Sequence, residues 1–277
     1  MRVHSVKLVT AASMMLIFIV GSSVNAAHFL TLRGSVESGR AGLEGYRVSL
    51  LASFSGFGGY TRVLGHDTSG AFGEFRIDYR LPGRLPSRFR PVLFVVAEKG
   101  PAMLASPIGQ APVVGPVVVN ELTTVATGFA FAQFVDGEVI KGNRYGMRNA
   151  VHMAANMADP ETGGIAEVLD RSPNGHETEA RPTFYSLANI VASCIASATG
   201  CDALFDATTL PGGARPTTVL QAVANIAKIS LAERPRPVRA VVRGTVVWPR
   251  PAAHRRAGGV DPVPQVYRQL LQRSGRA

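Results

Sequence analysis

Cysteine, histidine and charge are all scarce in this chain. Two cysteines and six histidines in 277 residues are too few for a disulfide-dense scaffold or a zinc-finger array. Charged residues make up only 17% of the chain and the apolar fraction is 46%, so the composition is that of a chain with a packed core, not a disordered one. After the first 26 residues no apolar run is long enough to span a bilayer. There is no Gly-x-Ser-x-Gly elbow for a hydrolase nucleophile and no Gly-rich loop ending in Lys-Ser/Thr for phosphate. The stretch HETEA (His176 to Ala180) opens like a zinc-protease helix, but Ala180 stands where the second histidine ligand belongs, and Arg181-Pro182 argues against a continuous helix. His28, His66 and His152 have no partners at ligand spacing, and Asp67, Asp159, Glu161 and Glu177 form no EF-hand loop. No catalytic, cofactor-binding or metal-binding residue is expected.

What is present begins with an export pattern. Arg2 and Lys7 precede an apolar run from Leu8 to Val24, and Val24-Asn25-Ala26 places small or aliphatic groups where signal peptidase needs them. Cleavage after Ala26 is expected, with an uncleaved membrane anchor as the alternative. Export in turn gives the cysteines a meaning. Cys194 and Cys201 are expected to form a disulfide, the alternative being two buried thiols. In one unbroken helix their Cα atoms would lie about 10 Å apart, beyond disulfide reach, so the helix must end between them, with Gly200 as a natural stop.

The charge is unevenly placed. The net +10 divides into +2 for residues 1–26, −1 for 27–227 and +9 for 228–277. The body is neutral, so no nucleic-acid partner is expected from it.

From His28 to Pro112 short runs rich in Val, Leu, Phe and Tyr (FLTLRGSV, YRVSLLASF, FRIDYRL, PVLFVVAE) alternate with Gly/Pro turns, the pattern of an antiparallel sandwich. SGFGGYTR (Ser55 to Arg62) is read as a flexible hairpin loop. Tyr46, Phe57 and Tyr60 are candidates for an aromatic sugar platform, against the reading that they are core or turn residues. After Pro112 the period lengthens. A helix is expected from Asn120, as N-cap, to Val135, and a second over Asn143–Asp159 with a Met147, Val151, Ala154, Met157 stripe. A polar loop follows over Pro160–Ala180. Then come helices in PTFYSLANIVASCIAS, with Pro182 at its first position, in CDALFDAT, and in PTTVLQAVANIA from Pro216.

Gly34-Ser35-Val36, AGLEGYRVSL (Ala41 to Leu50) and TSGAFGEFRI (Thr68 to Ile77) together resemble the carboxypeptidase-regulatory-like, transthyretin-type β-sandwich. The later segments, VVVNELTTVAT and LANIVASCIASATGCDALFDATTLPGGARPTTVLQAVANIA, are similar to a helical module of exported bacterial proteins that follows such a sandwich and often precedes an NHL-type β-propeller. The resemblance implies export and domain order, and carries no reaction with it. The expected fold is therefore α+β: a signal peptide at 1–26, a sandwich at 28–112, a helical domain at 113–227 and a disordered basic tail at 228–277.

That tail is rich in Arg, Pro, Ala, Gly and Val, residues of GC-rich codons. VYRQLLQR (Val266 to Arg273) can be encoded so that the next frame reads FTGSYYS, and Lys228–Gly244 can be encoded so that it reads RSPWRNVPGLFALSSG, which is like the family's continuation. The expectation is a frameshift near residue 228 that truncates the original protein. It fails if the natural codons of Lys228–Gly244 do not give that continuation one base later. The function expected overall is that of an exported, non-enzymatic binding or scaffolding protein of the cell envelope, with a protein or carbohydrate ligand at the cell surface and no stable membrane span after cleavage. The alternative is an accessory region of an exported hydrolase whose catalytic part lies downstream.

Overall fold

A computed structural model describes residues 29–54, 59–81, 86, 90–113, 115–137 and 139–231. The expected signal segment with Ala26, and the tail beyond Leu231, lie outside the described residues, as do His28 and Phe57. The elements run in the order β1 (Phe29–Ser38), β2 (Ala41–Gly42), β3 (Arg47–Phe54), β4 (Tyr60–Thr68), β5 (Glu74–Arg80), β6 (Val92–Lys99), β7 (Ala102–Gln110), β8 (Pro116–Val119), α1 (Glu121–Ala130), β9 (Val135–Asp136), β10 (Val139–Ile140), α2 (Arg144–Ala155), α3 (Glu167–Asp170), α4 (Ala180–Ala196), α5 (Ala198–Ala207) and α6 (Val219–Leu231).

The N-terminal strands form two antiparallel sheets, and helices follow, as the α+β reading expects. One sheet has the order β2-β1-β5, with β8 added to β1; the other has the order β4-β3-β6-β7. Strict alternation creates the interface between them. In β5, Phe75, Ile77 and Tyr79 are buried while Glu74, Arg76, Asp78 and Arg80 face out. The second sheet is buried on its other side as well. Phe94 of β6 meets Phe131, just after α1, edge-to-face at 5.0 Å, and six consecutive residues of β6 are buried. A strand covered on both faces reads as an unbroken apolar run, which explains PVLFVVAE. One continuous apolar core extends from Leu32 in β1 to Ala227 in α6.

β8 lies past Pro112 and pairs in parallel with β1, from Arg33 opposite Pro116 to Val36 opposite Val119. Gly34 is what lets it approach. A Cβ there would stand 2.1 Å from the Val117 carbonyl oxygen and 2.6 Å from the Phe75 ring. At Gly39-Arg40 the turn from β1 to β2 has positive φ at both residues, as a tight two-residue hairpin requires.

Several sequence expectations need correction. Tyr60–Thr68 is a strand, paired along β3 from Phe54–Tyr60 to Arg47–Thr68 with one bulge at Leu50/Leu51. Ala102–Gln110 is also a strand, and its Pro107 and Gly109 sit at a register shift opposite Phe94 and Leu93, where the ladder tolerates proline. The loop over Pro160–Ala180 contains the short helix α3. Pro182 is the third residue of α4, still within the turn whose N–H groups lack helical partners. The long helix from Asn120 ends at Ala130, and α6 begins at Val219.

Candidate functional site

A cluster of buried, mutually bonded polar side chains lies where β8 runs into α1. Asn120 is the N-cap. Its side chain accepts the Thr123 N–H at 3.0 Å, and the Thr123 hydroxyl accepts the Asn120 N–H at 2.9 Å, a reciprocal capping box. The Asn120 side-chain amide donates to the Gly163 carbonyl at 2.9 Å, tying in the turn after α2. One turn on, the Thr124 hydroxyl donates to the Asn120 carbonyl at 2.6 Å and accepts the Ala105 N–H of β7 at 3.0 Å. Thr127 donates to the Thr123 carbonyl at 2.6 Å and lies 3.2 Å from the Ala105 carbonyl. Glu121, fully buried, accepts a hydrogen bond from Ser38 at the end of β1. Its negative charge, acting after burial itself, holds the Tyr46 phenol above its ordinary range.

Asn120-Glu121-Leu122-Thr123-Thr124 is therefore a joint. Its side chains bond β1, β7, the loop at Gly163 and the first turn of α1 to one another. Buried polar groups are costly unless paired, and here paired groups fix one relative placement of the sheets and helices. Sequence reading found the cap and the acidic first turn. It missed Ser38 and Ala105, because contacts 83 and 19 residues apart leave no local signal.

Cys194 and Cys201 are joined as a disulfide with Cα atoms 4.2 Å apart. The helix does break between them, but at Ser197 rather than at Gly200. Ser197 has extended φ and ψ, ends α4, and caps α5 by accepting the Gly200 N–H at 3.2 Å. Gly200 lies inside α5, where a Cβ would stand 2.3 Å from the Ser193 carbonyl oxygen. Its lack of a side chain lets the two helices meet closely enough for the bond.

No family model matches the chain, and no curated protein matches it.

The other candidates disperse. Among the described residues no three His, Cys, Asp or Glu side chains gather to hold a metal ion. His66 and His152 are exposed on β4 and α2, and His176 is exposed in the turns before α4. Asp67 instead accepts the Arg76 N–H at 2.7 Å, covering part of the β5 edge. The aromatic trio separates. Tyr46 is 4% exposed and belongs to the core, whereas Tyr60 is 57% exposed and stacks on Phe54 at 5.0 Å with 13° between the ring planes. On the neighbouring sheet Arg80 lies 3.3 Å over the ring of Phe29. Two rungs along, Asp78 is held below the usual carboxylate range, first by the Thr31 hydroxyl at 2.5 Å and then by Arg76 and Arg33. Near the C-terminal side, Arg215 bridges Asp206 and Asp202 at 2.6 and 2.9 Å, and both carboxylates raise its pKa further.

Proposed function

We propose that this chain is an exported, non-catalytic binding or scaffolding module of the cell envelope. The observation that carries this reading is the joint. The polar side chains of Asn120–Thr127 are spent on fastening helices to sheets, so recognition falls to the exposed strand ends held on that rigid frame. Export is supported by Arg2, Lys7 and the apolar run that ends at Val24-Asn25-Ala26. The Cys194–Cys201 bond accords with an oxidising compartment. Among the described residues no helix is long and apolar enough to cross a membrane. The sandwich is read as carboxypeptidase-regulatory-like on Gly34-Ser35-Val36, Ala41–Leu50 and Thr68–Ile77.

The test is fractionation of a bacterium expressing the full chain, with mass analysis of the product and alkylation before and after reduction. The expected product begins at Ala27, co-sediments with isolated envelopes, and takes up alkylating agent at two thiols only after reduction. A cytoplasmic product with an intact N-terminus and two free thiols overturns the proposal. A full-length product in the membrane fraction replaces cleavage with anchoring.

A further inference from the structure

On the outer face of the first sheet two like charges stand against each other. There β5 turns out Glu74, Arg76, Asp78 and Arg80, and β1 sets Ser35, Arg33, Thr31 and Phe29 directly opposite them. Arg33 therefore faces Arg76 across the strands. The Arg76 N–H points away from β1, to Asp67, so the two arginines form a pair without mutual ladder bonds. In such pairs the side chains stand closest, and like charges there cost stability.

The neighbouring carboxylates are engaged elsewhere. Asp78 accepts the Thr31 hydroxyl at 2.5 Å and meets Arg76 only at 3.5 Å. Glu74 folds back over its own turn, where it accepts the Phe72 N–H at 3.0 Å. Glu37 accepts the Ser35 hydroxyl at 2.6 Å. On the other side of Arg33 the next strand offers Pro116. Glu161, exposed, comes near Gly115 just before it, 3.9 Å from where a Cβ on that glycine would stand. Among the described residues Arg33 makes no ion pair.

Two exposed guanidinium groups side by side, short of carboxylates, are suited to an anion from outside. A carboxylate has two oxygens in one plane and satisfies one guanidinium fork. A phosphate monoester has three free oxygens in a tetrahedral array and can engage both. Its charge of about −1.5 to −2 also balances the two arginines. Asp78, on the next rung of the same face, opposes any anion, so affinity for a single phosphate is modest. We infer that Arg33 and Arg76 seat the phosphate monoester of an envelope ligand. This deepens the binding reading above, rests on it, and moves recognition from the strand ends to the open sheet face between them.

The probe is glycerol 3-phosphate, added to the full chain at an ionic strength held constant with chloride. A saturable rise in melting temperature is expected, with none for acetate. Arg33→Gln should raise the dissociation constant about tenfold, as the loss of a charged fork implies, and Arg33→Lys should not restore it. In chloride alone Arg33→Gln should melt no lower than the parent, because it removes the like-charge contact. Arg148→Gln, exposed on α2, should leave the phosphate response unchanged. Because residues 228–277 are basic, Arg236→Gln with Arg239→Gln serves as the competing variant. An affinity that falls with that pair but not with Arg33→Gln overturns the proposal. So does an equal response to acetate, no response to glycerol 3-phosphate, or a clear loss of stability on Arg33→Gln in chloride. Where the soluble ester binds, vesicles of phosphatidylcholine with phosphatidic acid identify the carrier. Co-sedimentation that Arg33→Gln abolishes supports a lipid headgroup, and no co-sedimentation supports a soluble or polymer-borne phosphate. Signal cleavage and the thiol count are read independently of these arms, so failure of the phosphate seat and failure of the broader proposal are distinguishable.

Discussion

Thr124→Val isolates the part played by the buried joint. Valine has nearly the shape of threonine, so packing is preserved and only the hydroxyl is lost. That hydroxyl makes two bonds, one from the Ala105 N–H at 3.0 Å and one to the Asn120 carbonyl at 2.6 Å. The Asn120 carbonyl keeps the Thr124 N–H at 3.0 Å, so its loss is small. The Ala105 N–H is left buried without an acceptor, which costs about 1–3 kcal/mol. With a midpoint near 2 kcal/mol, a chain of this size should melt roughly 4–8 °C lower. Thr124→Ser keeps the oxygen and gives up one buried methyl, about 0.8 kcal/mol, so it should be the milder change. Urea unfolding followed by far-UV and near-UV circular dichroism measures both effects, and the two signals should move together because sheets and helices share one core. A valine variant within 0.5 kcal/mol of the parent, or less harmful than the serine variant, would refute the role assigned to Ala105 and Thr124.

Three further outcomes are expected. Gly128→Ala places a Cβ 2.4 Å from a Val223 methyl and 3.2 Å from the Ala224 nitrogen, so α1 and α6 must separate, and chemical denaturation should record a loss of about 1–3 kcal/mol. Replacing both Cys194 and Cys201 with serine opens a small loop and should cost no more than about 2–3 kcal/mol, leaving a folded protein with a lower melting temperature. Asp78 is held below its ordinary pKa in the folded state, so its contribution is complete above the unfolded aspartate range and is lost as pH falls through the lower folded value. An acid titration of Asp78→Asn should accordingly show a smaller drop in melting temperature over that window than the parent shows.

The sheet class was legible wherever one face of a strand is wet. β5 reads apolar-polar without a break because Phe75, Ile77 and Tyr79 alone face the core. β4 was not legible, since it lies at a sheet edge and exposes Tyr60, Arg62, Val63, His66 and Thr68 on both faces. β7 was hidden by Pro107, which local rules place outside strands and the bulge accommodates. At the joint, Asn120 could be read as a cap because capping is local. The partners Ser38, Ala105 and Gly163 are set only by the folded chain. The break at Ser197 went to Gly200 in the sequence reading because glycine favours both a helix stop and a close crossing, and sequence alone does not separate the two. Among the aromatic candidates the residue types were visible, but the separation of buried Tyr46 from exposed Tyr60 required the sheet register.

The parallel pairing of β8 with β1 also imposes an order in time. β1 gains its hairpin partner β2 at once and β5 soon afterwards, but its remaining edge waits for Pro116–Val119. Ser38 and Glu121 are 83 residues apart in the chain, so the last fastening of the first strand closes a long loop. Contacts of such separation slow folding, and until they form, part of β1 is an open edge able to pair with another chain. The earliest strand to emerge is thus among the last to be secured, and aggregation during refolding should be governed by how quickly residues 116–121 reach it.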